Sequence, residues 1–473
     1  MFFSTSIVLI DDKKKELTDL QEALFSEGLP CLPILYQYDV TDNKSGIEHV
    51  NIENLKPRII ITDLNLREGA DLTAKGLFSP IANMLKKIAV EGPYLLIFWS
   101  KNQGFVDEVM SYIVERVPGL QLPIHYSVID KKAYGVGSSK NLREKLVELT
   151  LECKLFNAII NWESRIHLAA KSTTNSLFKL TKPINISGGD YQKMHTTSLQ
   201  EILASIGNEA VGIKNAAENP GVALDLGLAP VLQDHLSSIT LNDSYWKEGV
   251  PGVGQDVLLP TRIKPALNSF YHIEDVDEQF PKNCKGVFVE LSKAILGDDE
   301  KKRKLELKLG RRIIDIMKEE FISDRKLGGM SKPEAKQFRK RVYDGVNLGF
   351  IEVSADCDQA QKKVKLNRYL LAVLIPFEFE ELTMFASPDG KLRKTAHDGI
   401  YKTPPMLISG EKYIIKISYK YQFGTLPSAE IDGQVYDNSW FGNPVLRLRD
   451  SILNDISYRC AQHSMRPGII SFY

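Results

Sequence analysis

Over roughly the first 150 positions the chain alternates between two hydrophobic rhythms. Short continuous apolar runs recur at Ile7–Ile10, Leu32–Tyr36, Ile59–Thr62, Tyr94–Trp99 and Ile124–Ile129. The first four are unbroken rather than alternating, the pattern of strands buried on both faces of a parallel sheet, whereas His125 and Ser127 interrupt the last. Between them the apolar residues take helical spacing: Leu17, Leu20, Leu24 and Phe25, then a stretch from Ser79 to Val90. Val106, Val109, Ile113 and Val117 follow within Gly104–Val117, and another such segment runs from Asn141 to Leu155. Gly28 is a predicted helix stop, and Ile47 to Leu55 carries only a weak pattern. Strands alternating with helices predict an α/β, doubly wound parallel sheet for residues 1–150.

Residues 151–240 lose the strand rhythm. Phe156–Leu168, Ser198–Lys214 and Val222–Leu236 read as helices, with breaks at Pro183–Asp190 and Asn219–Gly221, so a helical middle region is predicted. Residues 241–473 change character again. Short β-like runs appear at Val257–Leu259, Val287–Leu291, Gly349–Val353, Leu370–Ile375 and Tyr413–Tyr419. Among them lie a charge run, Asp298–Lys304, and helical stretches at Leu305–Phe321, Lys332–Val346 and Leu446–Ser464. The expectation is a C-terminal α+β domain with short strands, a small barrel being one way to arrange them. Gly249–Gly254 lacks the Gly-Lys-Ser/Thr of a phosphate-binding loop, and no internal repeat is evident.

Composition narrows the function classes. The 473 residues include 60 basic and 60 acidic side chains, so no global field draws the chain to nucleic acid or to a membrane surface. The N-terminal Met1–Asp11 is only briefly apolar and has no basic flank, which reads as a first strand rather than a signal peptide. No apolar run approaches the roughly 18 residues of a spanning helix. The five cysteines are scattered without a Cys-x-x-Cys, which points to reduced thiols and a cytoplasmic location.

Polar residues collect where the predicted strands end. Asp11 and Asp12 follow the first strand, Asp63 the third, Ser100 the fourth, and Lys131 and Lys132 the fifth. In a right-handed doubly wound sheet these ends converge at the carboxyl edge, where ligands of such folds bind. Three carboxylates meeting there repel one another unless a divalent cation sits among them, and Mg²⁺ suits carboxylates plus waters. A carboxylate can be a nucleophile toward a phosphoryl group, with a lysine and a hydroxyl holding the phosphoryl oxygens. Taken singly, each Asp has a plainer reading as the cap of the following helix.

Taken in order, Asp-Asp after strand one, Asp after strand three, Ser after strand four and Lys after strand five resemble the receiver domain of two-component response regulators. The resemblance covers residues 5 to about 150 and implies a flavodoxin-like strand order 2-1-3-4-5. It further implies that Asp63 is the phosphoacceptor and that Asp11, Asp12, Asp63 and the backbone carbonyl of Asn65 bind Mg²⁺. Ser100 would sense the phosphoryl group and Lys131 would pair with it, Lys132 being the alternative. Three positions depart from the pattern. Lys132 stands where a proline usually follows the lysine, Lys101 where a small residue follows the Ser/Thr, and Val128 and Ile129 where an aromatic switch residue is expected, with Tyr126 further back.

A second motif is Ser354-Ala-Asp356-Cys357-Asp358. Its chemical reading is a thiolate or metal site, with Asp358, His397 or His463 as distant partners. Adjacent carboxylates raise a thiol pKa, however, and free cysteines are commonly buried, so a packing role competes. The segment bears a weak resemblance to uncharacterised proteins of bacterial conflict and phage-defence systems. The expected function is therefore signalling: a histidine-kinase-like ATPase or another operon protein phosphorylates Asp63, which controls a C-terminal output domain, with a homo-oligomer also expected. Two other readings stay open, an interaction scaffold with a docking-only receiver-like domain and an enzyme with a site near Cys357.

Overall fold

A computed structural model describes residues 7–37, 44–50, 55–67, 73–134, 142–181, 190–240, 243–323, 331–354, 359, 365–386, 391–427, 429–431, 434–436 and 439–464. The chain divides into two compact units, Met1–Leu180 with Pro230–Asp256, and Thr181–Ala229 with Val257–Tyr473.

In the first unit the elements run β1 (Ile7–Asp11), α1 (Lys14–Ser26), β2 (Leu32–Leu35), β3 (Ile59–Thr62), α2 (Ala74–Ile88), β4 (Leu95–Ser100), α3 (Val106–Arg116), β5 (His125–Asp130), α4 (Lys131–Tyr134), α5 (Leu142–Glu152) and α6 (Lys154–Leu180). All five strands are parallel in the order β2-β1-β3-β4-β5, a flavodoxin-like arrangement. Both faces are buried, as the continuous apolar runs require. Val8, Ile10, Ile60, Leu96 and Phe98 pack with α2 and α3, whereas Ile7, Leu9, Ile61, Ile97 and Trp99 pack with the leucines of α1 and α5.

Two local expectations shift. Helix α2 begins at Ala74 rather than Ser79, because the Thr73 hydroxyl accepts from the Gly76 N–H at 3.2 Å and so starts the helix earlier. The described part of the weak stretch before β3 holds a 3₁₀ turn, Ile47–His49, whose buried Ile47 packs in the α2 face of the core. Helix α6 is tied to the sheet by a bidentate ion pair, Arg58 to Glu163, at 2.8 and 2.9 Å.

The middle region is helical, as expected: α7 (Tyr191–Val211), α8 (Ile213–Glu218), α9 (Pro220–Ser238) and α10 (Asp243–Gly249). The C-terminal part then runs α11 (Ile263–His272), β6 (Ile273–Asp275), β7 (Val287–Leu291), α12 (Lys293–Leu296), α13 (Asp299–Leu309), α14 (Ile313–Ile316), α15 (Lys332–Gly345), β8 (Asn347–Glu352) and β9 (Asn367–Pro376). It continues with β10 (Phe385–Ala386), β11 (Leu392–Arg393), β12 (Ile400–Lys402), β13 (Met406–Ile408), β14 (Glu411–Thr425), β15 (Ala429–Ile431), β16 (Gln434–Tyr436), β17 (Phe441–Leu448) and α16 (Asp450–Ser464). Eight of these strands form one antiparallel sheet, β12-β14-β9-β8-β7-β17-β6, with β13 also on β14. Among the described residues the sheet is open, with β6 and β12 at opposite ends of the path, so it is not a closed barrel.

Three sequence expectations are corrected here. The predicted helix Leu305–Phe321 is interrupted because Gly310 adopts φ 72 and ends α13; a π-helical turn, Met317–Phe321, then follows α14. Val257–Leu259 is no strand; these residues have no ladder partner, and Leu258 is 89% exposed. Leu446 and Leu448 belong to β17 rather than to the last helix, because their buried side chains alternate across the sheet.

Candidate functional site

The ladder places the site. Ile10 pairs with Thr62, so Asp11 and Asp63 are the next residues on two adjacent strands, and the Asp63 N–H donates to the Ile10 carbonyl at 2.9 Å. On the other side Ser100 pairs with Asp130, which sets Lys131 just beyond β5 as the first residue of α4.

Lys131 is the hub. Its Nζ donates to Asp11 Oδ2 at 2.7 Å, to Asp63 Oδ2 at 2.7 Å and to Glu16 Oε2 at 2.5 Å. The lysine side chain is 5% exposed and that of Asp11 3%, so water screens these contacts little. Glu16 was not singled out in the sequence. It lies in the first turn of α1, five residues after Asp11, where a helix leaving a strand turns its opening residues back over the strand end. Lys101, which replaces the small residue of the receiver pattern, reaches the same Glu16 at 3.7 Å.

One lysine does not neutralise this edge. Burial raises the Asp11 pKa; the Lys131 charge opposes that, while the charge of Asp63 adds to it. Asp12 is pushed up to about 6, first by burial and then by the charges of Asp11 and Asp63. Glu16 ends below its usual value, because the Lys131 hydrogen bond and charge outweigh its burial. The ammonium itself is raised: burial pulls it down, but Asp63 and Asp11 more than offset that.

Asp11, Glu16 and Asp63 offer oxygens that lie within 4.8 Å of one another, so the cluster can hold a metal ion. Asp12 Oδ1 is buried and has no partner among the described residues, which leaves an anionic acceptor without a donor beside that cluster. An all-oxygen carboxylate set with an unpaired acceptor fits a hard divalent cation.

The other expected residues are placed less directly. Ser100 is 1% exposed at the same edge, but its Oγ accepts from the Asn102 N–H at 3.2 Å and caps the following turn. The Asn65 N–H lies 3.4 Å from Asp63 Oδ1, a long contact. Asp11 accepts from the Lys13 N–H at 2.9 Å in a local turn but does not cap α1, whose N-cap is Lys13. The Lys132 side chain lies outside the described residues. Tyr126 takes no part at the edge; its hydroxyl donates to Asp107 at 3.1 Å.

Of the second motif, Asp356, Cys357 and Asp358 lie outside the described residues. His397 is occupied: it bonds Glu320 at 3.0 Å through Nε2 and accepts from the Gly399 N–H through Nδ1 at 3.0 Å. Glu320, carried on the π-helical turn, also takes Ser418 at 3.0 Å and Lys420 at 3.0 Å, so the cluster is a satisfied structural network. Cys31, Cys284 and Cys460 are free thiols whose pKa values burial raises, which disfavours thiolate chemistry at each. No helix among the described residues is long and apolar enough to cross a membrane. No protein-family model matches this sequence, and a comparison with curated proteins finds no relative.

Proposed function

We propose that the N-terminal unit is a receiver-like signalling domain in which Asp63 accepts a phosphoryl group and thereby controls the C-terminal region. The observation that carries this is the Lys131 ammonium at 2.7 Å from both Asp11 and Asp63, at the end of a parallel sheet with the order β2-β1-β3-β4-β5. An ammonium already seated on the acceptor carboxylate can follow its charge as phosphoryl oxygens arrive.

In the proposed step an Asp63 oxygen forms a bond to phosphorus while the P–N bond of a phosphohistidine donor breaks. The imidazole leaves with the electron pair and takes up a proton. Asp11, Asp12, Asp63 and the Asn65 carbonyl would hold Mg²⁺, with Glu16 within reach of the same position. When bound, Mg²⁺ neutralises charge on the phosphoryl oxygens. Lys131 exchanges carboxylate partners for the phosphoryl group, and Ser100 supplies a hydroxyl by leaving its turn. The added charge reorders the loops after β4 and β5. The donor would be a histidine-kinase-like ATPase or another product of the same operon, in the cytoplasm, and a bacterial anti-phage system is a consistent setting.

The test is incubation of the full chain with acetyl phosphate and Mg²⁺, read by intact-mass spectrometry. One phosphoryl group is expected, labile to hydroxylamine and absent from Asp63→Asn. A specific observation favours a second reading. Glu16 and Lys131 already balance part of the edge without chemistry, as a docking-only module would. In that case the chain stays unlabelled and Asp63→Asn retains wild-type function in cells.

A further inference from the structure

The C-terminal unit holds a polar cavity that the reading above does not use. It has a volume of about 500 Å³ and is bounded by the turn before β12, by β12 and β14, and by α16. Three cations line it, Lys394, Lys402 and Arg459, against one carboxylate, Asp398. Lys402 is turned away to Glu380 at 3.2 Å. Arg459 commits only its Nε, to Asp455 at 2.9 Å, and its guanidinium lies over the Tyr401 ring at 5.6 Å. Among the described residues no acceptor takes its two terminal nitrogens.

Two further polar atoms of the lining are orphans. Tyr419 is 3% exposed, and among the described residues neither its hydroxyl nor the buried Nδ1 of His463 has a partner. A buried hydroxyl without a partner is costly, and in a native chain it marks an unseen water, ion or ligand. The Tyr401 hydroxyl donates to Asp455 at 3.1 Å and makes no bond with that of Tyr419.

We propose that this cavity binds a small phosphate ester, with the oxyanion on the Arg459 guanidinium and the Lys394 ammonium and a further ligand oxygen on the Tyr419 hydroxyl. A free guanidinium fork matches an oxyanion in two parallel hydrogen bonds, and Lys394 adds a mobile point charge. Lys402 is paired with Glu380 and the Arg459 Nε with Asp455, so the attraction for an anion comes from Lys394 and the two terminal nitrogens of Arg459, and the volume leaves room for the organic part of the ester beside Tyr401. The Tyr419 hydroxyl is covered in the free chain, so binding requires the side chains of the lining to shift.

The test is isothermal titration of the full chain in EDTA, which keeps cation-dependent uptake at the Asp11–Asp63 edge out of the measurement. The probes are inorganic phosphate and glucose 6-phosphate, with glucose and succinate as controls. Both phosphates are expected to bind, the ester more tightly, and the controls not. Arg459→Ala, at a side chain 59% exposed, is expected to keep its fold and to lose about tenfold or more in affinity. Tyr419→Phe removes the orphaned hydroxyl, so it should melt at the same or a higher temperature while binding glucose 6-phosphate several-fold more weakly. Absence of heat with both phosphates overturns the proposal, and so does unchanged affinity in Arg459→Ala or Tyr419→Phe. Equal binding of succinate overturns the choice of phosphate, and a Tyr419→Phe chain that loses stability shows that the hydroxyl is satisfied by a structural water.

Discussion

Replacing Lys131 by Met tests the electrostatics of the sheet edge most directly. The substitution keeps the unbranched side chain as far as Cε and removes one charge that serves Asp11 and Asp63, each at 2.7 Å, and Glu16 at 2.5 Å. Because the lysine side chain is 5% exposed, water cannot replace it at low cost. Removing one partner of a buried ion pair costs about 3–5 kcal/mol, since the opposite charge is left buried and uncompensated. Here three carboxylates lose a donor, and Asp12 Oδ1 already lacks one. The expected loss in EDTA therefore lies at the upper end of that range, on the order of 10 °C in the melting temperature of a unit this size.

Two dependences accompany that loss. The carboxylates of Lys131→Met gain protons more readily when folded than when unfolded, so its deficit shrinks as pH falls from 7 toward 5. Mg²⁺ substitutes for the missing charge, recovering about 2.7 kcal/mol at a concentration 100 times its dissociation constant. Denaturant unfolding followed by circular dichroism, in EDTA and in Mg²⁺ at several pH values, reads all three. A variant as stable as wild type in EDTA refutes the role of Lys131 as counter-charge. If neither protein responds to Mg²⁺, the edge is no cation site.

Cation affinity should fall as pH drops through about 6, where Asp12 takes up its proton, and Asp12→Asn should flatten that dependence; Mg²⁺ titrations at a series of pH values check both. Lys416 is fully buried and donates to the Phe321 and Thr383 carbonyls, and its pKa is lowered to about 7 by burial and by Lys402. Between that value and about 10.5 the unfolded chain binds more protons. The group therefore adds up to about 1.4 kcal/mol of stability per pH unit as pH rises through that window. Lys416→Met should remove this slope in denaturant titrations, although two carbonyls lose their donor. Arg58→Ala should cost about 1–2 kcal/mol and speed hydrogen exchange in the middle of α6, because it breaks the bidentate pair to Glu163; an undisturbed exchange profile would show that packing alone holds the helix.

Much of the first unit was legible because its strands are buried on both faces. Runs such as Ile59–Thr62 and Leu95–Ser100 leave no solvated face to blur the signal, and their lengths are set by the sheet. Asp11, Asp63 and Lys131 could be placed at one edge from strand order alone. Glu16 could not, because a lone acidic residue in a helical first turn usually serves that helix, and only the fold turns it toward Lys131. In the second unit β7, β8 and β9 are neighbours in sequence order, but the pairings that complete the sheet are remote: β14 with β9, β17 with β7 and β6 with β17.

Local chemistry therefore determined which segments are strands and helices and which polar residues stand at their ends, since burial periodicity and caps act over a few residues. Tertiary structure decided which carboxylates share one ammonium and that, among the described residues, Asp12 Oδ1 and the Tyr419 hydroxyl are left without partners. Those outcomes depend on distances between segments far apart in the chain, where a shift of one residue in strand register exchanges one side chain for another.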